Sequence, residues 1–528
     1  TSSVLDEGIE VAFVPGFGTV TETSIPYINK FTLFTSPSSF TTVMGGAPRT
    51  FTNDFPINGN FFLKAGKTGA NVFNTGDVEP GYCYALGLLQ AGLPVIFYMA
   101  NDATALTKID PKTEEVTFAN GVGTATITLD AGVTAVYGIE ASIDDQMLNI
   151  VSTDIKDTTL TINLSGEATL NDAKSVKIVY TEYKAESDVV TGKVMYDALV
   201  GTTDKESILE ELKDRGTYNV KYLTTGGYPS FEYGFDGGVV KNTLVAKLLD
   251  VAAAVVSEDS DNDSTEGRGD CIALIDHTNY SGRKLISSMT DDSSVFGSVN
   301  KYLPEFGNKL TFAAMYTPWC TYSINGLTGN TALPGSYAYL IALANASKIY
   351  TSVAAIAGVT RGAVPNIVNV LTDETLTNNI ANKYQSRVED PQGKISINAI
   401  TRIRPYGNVI WGNRTLQKPD TDKGVTALGF TNIRSMVCDI KKTVYDACKK
   451  YMFEQNSDIL WINFKSEITP TLEKMKSAQG IERYTVRKGE NSGKTKLYAF
   501  ITIKPVYSVE SFDITITLTD ENLSVEEA

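Results

Sequence analysis

The sequence predicts a multidomain α/β protein. It reads as a central, mostly parallel α/β domain with an antiparallel β domain inserted into it, a compact α+β domain toward the C-terminus, and extended β arms at both ends. Three observations carry this. Short unbroken apolar runs, such as 95–98 and 271–275, alternate with apolar helical stretches, as in parallel sheets buried on both faces. Between 101 and 185 the pattern becomes an alternation of apolar residues with threonine, which suits a sheet with one wet face. Both ends carry β-type segments with no partner nearby in sequence.

The first arm is residues 1–30. Ile9, Val11, Phe13 and Val14 are apolar, but Gly8, Pro15, Gly16 and Gly18 deny them a helix. A short strand and a turn are predicted, with a partner far along the chain or on another copy. Residues 31–100 and 186–390 make up the α/β domain. In its first part, 31–34 is a strand, and a buried helix at 81–91 feeds a strand at 95–98. The run 82–99 comes nearest to a membrane span, but Gly87, Gln90, Gly92 and Pro94 interrupt it.

The inserted domain, 101–185, carries alternating strands at 124–129, 158–164 and 175–180. Beyond it, Ile208, Leu209 and Leu212 have helical spacing and 218–223 is a strand. An apolar helix follows at 242–256, then an acidic loop at 257–270 and a buried strand at 271–275 that ends at Asp276. A strand at 310–315 and a small-residue helix at 337–349, able to lie close against a sheet, continue the rhythm.

The C-terminal domain, 391–507, opens with a strand at 409–411. A long helix over about 432–454 has Ile433, Val437, Ile440, Val444, Cys448 and Met452 at apolar spacing, with Lys441, Lys442, Lys449 and Lys450 mostly on other faces. A short apolar stretch at 459–464 precedes a helix that Thr469 caps and Pro470 opens. Strands at 484–487 and 496–503 pair as a hairpin. In the second arm, 508–528, residues 512–518 alternate strictly as one isolated strand before an acidic tail.

Composition bounds the function. Of 528 residues, 42% are apolar and 20% charged, which excludes wholesale disorder. The net charge of -15 argues against a nucleic-acid coat. Charge is uneven: 391–509 holds 20 Lys+Arg against 10 Asp+Glu, whereas 510–528 holds six acids and no base. In a polymer such complementary regions would fix the register between copies. Five scattered cysteines form no disulfide framework, so synthesis in a reducing cytosol is expected. No stretch reads as a signal peptide, and Thr1 fits removal of an initiator methionine.

Chemical motifs are weak. Residues 489–495, GENSGKT, nearly spell a phosphate-binding loop but place three residues between the glycines where four are needed. Strands flank them, so a hairpin turn is the expected reading. Asp259, Asp261, Asp263 and Asp270 have a faint calcium-loop spacing, but Ser264 and Asp270 stand where Gly and Glu belong. The Arg268-Gly-Asp270 triplet is of a kind that arises by chance. A hydrolase built on Asp276 and His277, with Ser281 nearby, is the enzyme alternative, since strand ends hold active residues in open α/β sheets. The chain's single histidine would have to serve any triad and leaves no His pair for zinc. No catalytic, cofactor-binding or metal-ligating residue is therefore assigned, and a non-enzymatic role is expected.

One stretch is specific. INAITRIRPYGNVIWGNRTL at 397–416 resembles the NA…R…G…VWGARTL signature of the tail sheath proteins of contractile bacteriophages and related injection machines. Arg404, Gly407, Trp411, Gly412, Arg414, Thr415 and Leu416 stand on matching positions, and Asn413 replaces a frequent Ala. AMYTPW at 314–319 resembles the family's YYPW strand end, and LPGS at 333–336 its PPSG segment.

The resemblance implies a structural subunit of a virion. Such subunits polymerise as stacked hexameric rings around an inner tail tube and contract to drive the tube through the host cell envelope, ejecting the genome. It implies strand exchange between copies through the terminal arms (1–20 and 508–520), and a C-terminal domain facing the tube protein. The inserted domain would lie outside. Baseplate and tail terminator proteins are the other implied partners, with assembly in the bacterial host cytoplasm, no cofactor, no membrane insertion and no direct nucleic acid binding. The alternative within the same class is a sheath cap or terminator-like tail component.

Overall fold

The computed structural model describes residues 10–19, 23–51, 55–56, 71–73, 76–100, 106–108, 112–117, 123–131, 133–143, 146–156, 158–164, 175–185, 192–202, 205–228, 243–254, 267–276, 299–300, 303–350, 353–370, 393–420, 424–489, 492, 495–510, 516–520 and 523–527. Eight strands form its central sheet: β1 (Ala12–Gly16), β2 (Phe31–Phe34), β3 (Val95–Met99), β4 (Tyr222–Leu223), β5 (Ile272–Ile275), β6 (Ala313–Thr317), β7 (Asn398–Ile403) and β8 (Gly407–Trp411). Their order is β2-β3-β1-β4-β5-β6-β7-β8. The strands from β3 to β7 pair in parallel. β2 and β8 close the two ends antiparallel.

Seven helices are labelled here: α1 (Pro37–Met44), α2 (Pro80–Ala91), α3 (Gly192–Val200), α4 (Thr243–Ala252), α5 (Gly335–Ala346), α6 (Thr431–Lys450) and α7 (Asp458–Ser477). Strand side chains alternate between two cores, as the period of two requires. Phe13, Ile96, Leu223, Ala273, Ile275 and Met315 join α3 and α4 on one face. Val14, Phe97, Tyr222, Leu274 and Tyr316 join α1, α2 and α5 on the other. Close approach explains the start of α5: a Cβ on Gly335 would lie 2.0 Å from the Tyr316 carbonyl oxygen of β6. The small-residue helix thus lies close against the sheet.

Residues 106–185 hold two antiparallel sheets. One is built on the long strands Val133–Ile143 and Ser175–Ala185, the other on Thr124–Thr128, Ile150–Lys156 and Thr159–Leu164. They share a core of their own that includes Ile127, Val136, Leu160, Ile162, Val176 and Ile178. Near the C-terminus, α6, α7 and the hairpin Ile481–Lys488/Ala499–Pro505 enclose Ile433, Met436, Ile440, Phe464, Ile468, Leu472 and Met475. No helix among the described residues is long and apolar enough to cross a membrane.

The structure corrects several expectations. Residues 12–16, expected in an N-terminal arm over 1–30, are β1, an interior strand between β3 and β4. β1 is apolar on both faces, so burial beneath two helix layers outweighs the lack of a sequence neighbour. The part of the arm before residue 10 lies outside the described residues. Residues 398–411, expected in the C-terminal domain over 391–507, extend the central sheet as β7 and β8. Residues 303–312, expected to begin the strand at 310, form a 3-10 segment and leave β6 to start at Ala313. α7 absorbs both the apolar stretch 459–464 and the helix expected from Pro470. Ser457 caps it, and Thr469 Oγ1 instead donates to the Lys465 carbonyl, 2.6 Å away. The C-terminal strand is not isolated either: Ile516–Asp520 pairs antiparallel with Leu523–Glu527 from the expected acidic tail.

Candidate assembly surface

The 397–416 stretch is a junction between the sheet and the C-terminal module. Asn398 on β7 is fully buried. Its Nδ2 donates to the Met315 carbonyl at 3.1 Å and to the Arg414 carbonyl at 2.8 Å, and its Oδ1 accepts from Arg414 N at 2.8 Å. Leu416 N donates to the Ala313 carbonyl at 2.8 Å. Arg414, 2% exposed, lies with its Cζ 4.3 Å from the Phe430 ring centre and bonds the Glu510 carboxylate. A buried guanidinium needs such a partner. Asn413, the departure from the family pattern, binds Asn432 Oδ1 at 2.7 Å and Ser508 Oγ at 3.2 Å. Gly407 sits in the β7–β8 turn with φ 90°, where a side chain would be strained. Trp411, on a matching position of the signature, is 36% exposed at the end of β8. The signature stretch already contained Asn398 and Arg414, but nothing in it pointed to Phe430 or Glu510. The acid that faces an invariantly charged guanidinium was unreadable because it lies in the other part of the module.

The C-terminal module turns unusual chemistry outward. Met452, Phe453, Ile459 and Ile462, at the α6–α7 turn and the first turns of α7, are exposed. On the hairpin, Phe500 is exposed opposite Arg487, and Arg483, Lys488 and Lys504 are exposed as well. The hairpin strands pair only with each other among the described residues. α6 departs from its expected face. Its first turns are buried on several sides, so Arg434 and Ser435 are interior, while Met452 beyond its end is exposed. Arg434 donates to the Thr311 carbonyl at 2.8 Å, and burial pulls its pKa down to about 10. Lys442 reaches back to Asn219 Oδ1 at 2.6 Å and the Val220 carbonyl at 3.0 Å. The module's positive count thus overstates its positive surface.

The enzyme-like candidates resolve into structural bonds. Asp276 follows β5, almost fully buried. Its Oδ1 accepts from Ser336 N at 3.1 Å, and its Oδ2 from Ser336 Oγ at 2.6 Å and Thr225 Oγ1 at 3.3 Å. Burial pushes its carboxyl up to about 7. These bonds tie α5 and the segment after β4 to β5. His277 and Ser281 lie outside the described residues. Glu79 is similar: it accepts from Gly81 N at 2.8 Å and Tyr82 N at 2.9 Å to cap α2, and from Tyr228 Oη at 2.9 Å. Burial raises it to about 7.

Asp270 of the calcium-like spacing is buried with Arg268, whose Nε and Nη2 meet its two oxygens at 2.8 and 3.3 Å, so the Arg-Gly-Asp triplet is interior. Asp259, Asp261 and Asp263 lie outside the described residues. Among the described residues, no group of three or more His, Cys, Asp or Glu side chains could hold a metal. Of the phosphate-loop-like segment, Gly489, Ser492 and Thr495 are described: Ser492 Oγ donates to the Gly489 carbonyl at 2.8 Å and accepts from Tyr498 N at 3.1 Å, between the paired strands Ile481–Lys488 and Ala499–Pro505.

Residues 426–519 match the family model of the phage tail sheath C-terminal domain. The matched segment lies just beyond the 397–416 stretch and points to the same family that the stretch resembles. Solved structures similar to the chain include a sheath tail protein from Desulfitobacterium hafniense, at 11% identity and TM-score 0.42, covering 96% of this chain and 98% of that one. A sheath tail protein from Listeria innocua has 9% identity and TM-score 0.43, covering 94% and 95%. The sheath complex of the extracellular contractile injection system PVC, in its contracted state, has 16% identity and TM-score 0.38, covering 60% and 77%. No curated protein matches the chain.

Proposed function

We propose that the chain is the structural subunit of the contractile sheath of a phage tail or phage-like injection particle. In this reading subunits stack as hexameric rings around an inner tube, meet a baseplate at one end and a terminator at the other, and contract to drive the tube through a cell envelope. The match of 426–519 to a sheath C-terminal domain carries the proposal. The open hairpin Ile481–Lys488/Ala499–Pro505 supports it, because unpaired strand edges accept strands from another chain. The C-terminal segment 511–528 of a neighbouring copy is the proposed donor, its acids facing the hairpin's Arg483 and Arg487, since Lys488 and Lys504 already meet Asp458 and Glu482 within the chain. On the N-terminal side, only residues before 10 remain for the arm role. The proposed domain scheme has residues 101–185 as an outer domain and the C-terminal module toward the tube.

Such a polymer needs no fuel. Backbone bonds of donated strands hold neighbours together while whole subunits rotate and slide from a metastable to a more stable array. Two different surfaces meeting in each contact supply the heterologous interface that a helical array requires.

Deletion of 511–528 tests the proposal. The variant should remain folded by circular dichroism and form no rings, tubes or striated sleeves in negative-stain images, where the full chain forms them. Sleeves of normal appearance from the variant would refute the donor role. A full chain that stays monomeric at all concentrations would refute the sheath reading.

A further inference from the structure

The segment leaving the hairpin is fastened down over a short path before it reaches the proposed donor. Val506 N donates to the Gly480 carbonyl at 3.0 Å. The Tyr507 ring meets the Phe430 ring edge-on at 5.2 Å. Ser508 Oγ accepts from Asn413 Nδ2 at 3.2 Å. Glu510 then pairs with Arg414. Arg414 cannot follow a wandering partner, because Asn398 grips both its N–H and its carbonyl and also bonds β6 through Met315. Beyond residue 510, the hairpin Ile516–Asp520/Leu523–Glu527 pairs with no other strand among the described residues.

We propose that Arg414 and Glu510 are a clasp that fixes the root and exit direction of the C-terminal segment, so that its strands are presented to the next subunit. The inference rests on the strand-donation reading and deepens it. Arg414 is a positioning residue, buried so that the Glu510 carboxylate is held in place. A donor whose root is already ordered loses less conformational freedom when it pairs, and its effective concentration at the acceptor is higher. Phe430 serves both halves of the clasp, since one ring faces the guanidinium and also Tyr507. The signature stretch is thereby connected to assembly without touching another chain.

The test uses the full-length chain and four variants. Glu510→Gln removes the charge of the clasp. Tyr507→Ala loosens the same segment without uncovering a buried guanidinium, and decides the matter if the first variant misfolds. Glu526→Gln removes an acid from the tail away from the clasp. The fourth is the deletion of 511–528. In the unassembled protein, amide exchange over 506–510 should rise about tenfold or more in Glu510→Gln and Tyr507→Ala, as expected for loss of a charge-assisted bond or its support. Sedimentable polymer should fall about tenfold in both. Glu526→Gln should match the parent in exchange. Unchanged exchange in Glu510→Gln and Tyr507→Ala, or faster exchange with undiminished polymer, overturns the clasp. Strand donation then still stands if the deletion abolishes polymer. Polymer from the deletion variant overturns strand donation and the clasp with it.

Discussion

The central sheet and the C-terminal hairpin are both β structure, and they treat their edges in opposite ways. In the sheet, interior strands are buried on both faces, and edge strand β8 is covered: Val364 N donates to the Asn408 carbonyl at 3.0 Å, and Ile410 N to the Gly362 carbonyl at 2.7 Å. In the hairpin, most positions are exposed or half-exposed, Arg483, Arg487, Lys488 and Lys504 among them, and both outer edges are open among the described residues. A covered edge completes a fold, whereas an open one invites another chain. On the strand-donation proposal, the same polypeptide separates the part that folds it from the part that joins it to others, and mutations in the two parts should fail in different ways.

The largest expected effect on stability lies in the sheet. Phe13 is fully buried on β1 with its ring 5.7 Å from that of Phe31. Phe13→Ala should cost about 3–5 kcal/mol, by loss of transfer free energy and the cavity left behind. Denaturant unfolding of unassembled protein measures it. A change below about 1 kcal/mol would mean that β1 is peripheral, as an arm would be, and would remove the contrast between the two regions.

The next effect is pH dependence set by two buried acids, one after β5 and one capping α2. Asp276 and Glu79 are each raised to about 7, by burial first. Their carboxyls ionise near 4 in the unfolded chain and near 7 in the folded one. Their favourable contribution is therefore complete below about pH 4 and is lost as pH rises toward and through about 7. Asp276→Asn or Glu79→Gln should flatten the fall in unfolding free energy between pH 5 and 7.5, each by an amount on the order of 2 kcal/mol. Parallel pH profiles for parent and variants would count against these assignments.

How much was legible in advance follows from where the information resides. The strand at 271–275 and the helices at 81–91 and 337–349 were readable because unbroken apolar runs and small-residue spacing are local signals. β1 was misjudged because parallel pairing joins segments far apart: Ala12 opposes Val95 on one side and Tyr222 on the other. Thr469-Pro470 looked like a helix start, but Ser457 had already started the helix, and Thr469 Oγ1 bonds backward within it. Charge misled in a different way. The basic excess over 391–509 includes Arg414, Arg434 and Lys442, which point into the molecule to answer Glu510, Thr311 and Asn219. Composition counts charges, but only packing says which of them reach the surface.

The smallest expected stability change, and the sharpest contrast, is at Phe453. It is 101% exposed in the turn between α6 and α7, and its backbone has φ 68°, a left-handed conformation that disfavours bulky side chains. Neither fact serves the fold: the ring buries nothing and the backbone is strained. Exposed Met452, Ile459 and Ile462 stand near it in sequence, and such apolar residues on a module proposed to face the tube are candidates for anchors in a partner's pocket. Phe453→Gly should leave stability unchanged or raise it by up to about 1 kcal/mol through relief of the left-handed strain. It should weaken co-sedimentation with tubes by about tenfold or more, as loss of a hot-spot aromatic does. Phe13→Ala has the opposite profile, with large instability and intact contact residues in whatever fraction remains folded. If Phe453→Gly binds tubes like the parent, the strained turn has no role at that interface, and the division between a folding region and a joining region would rest on the hairpin edges alone.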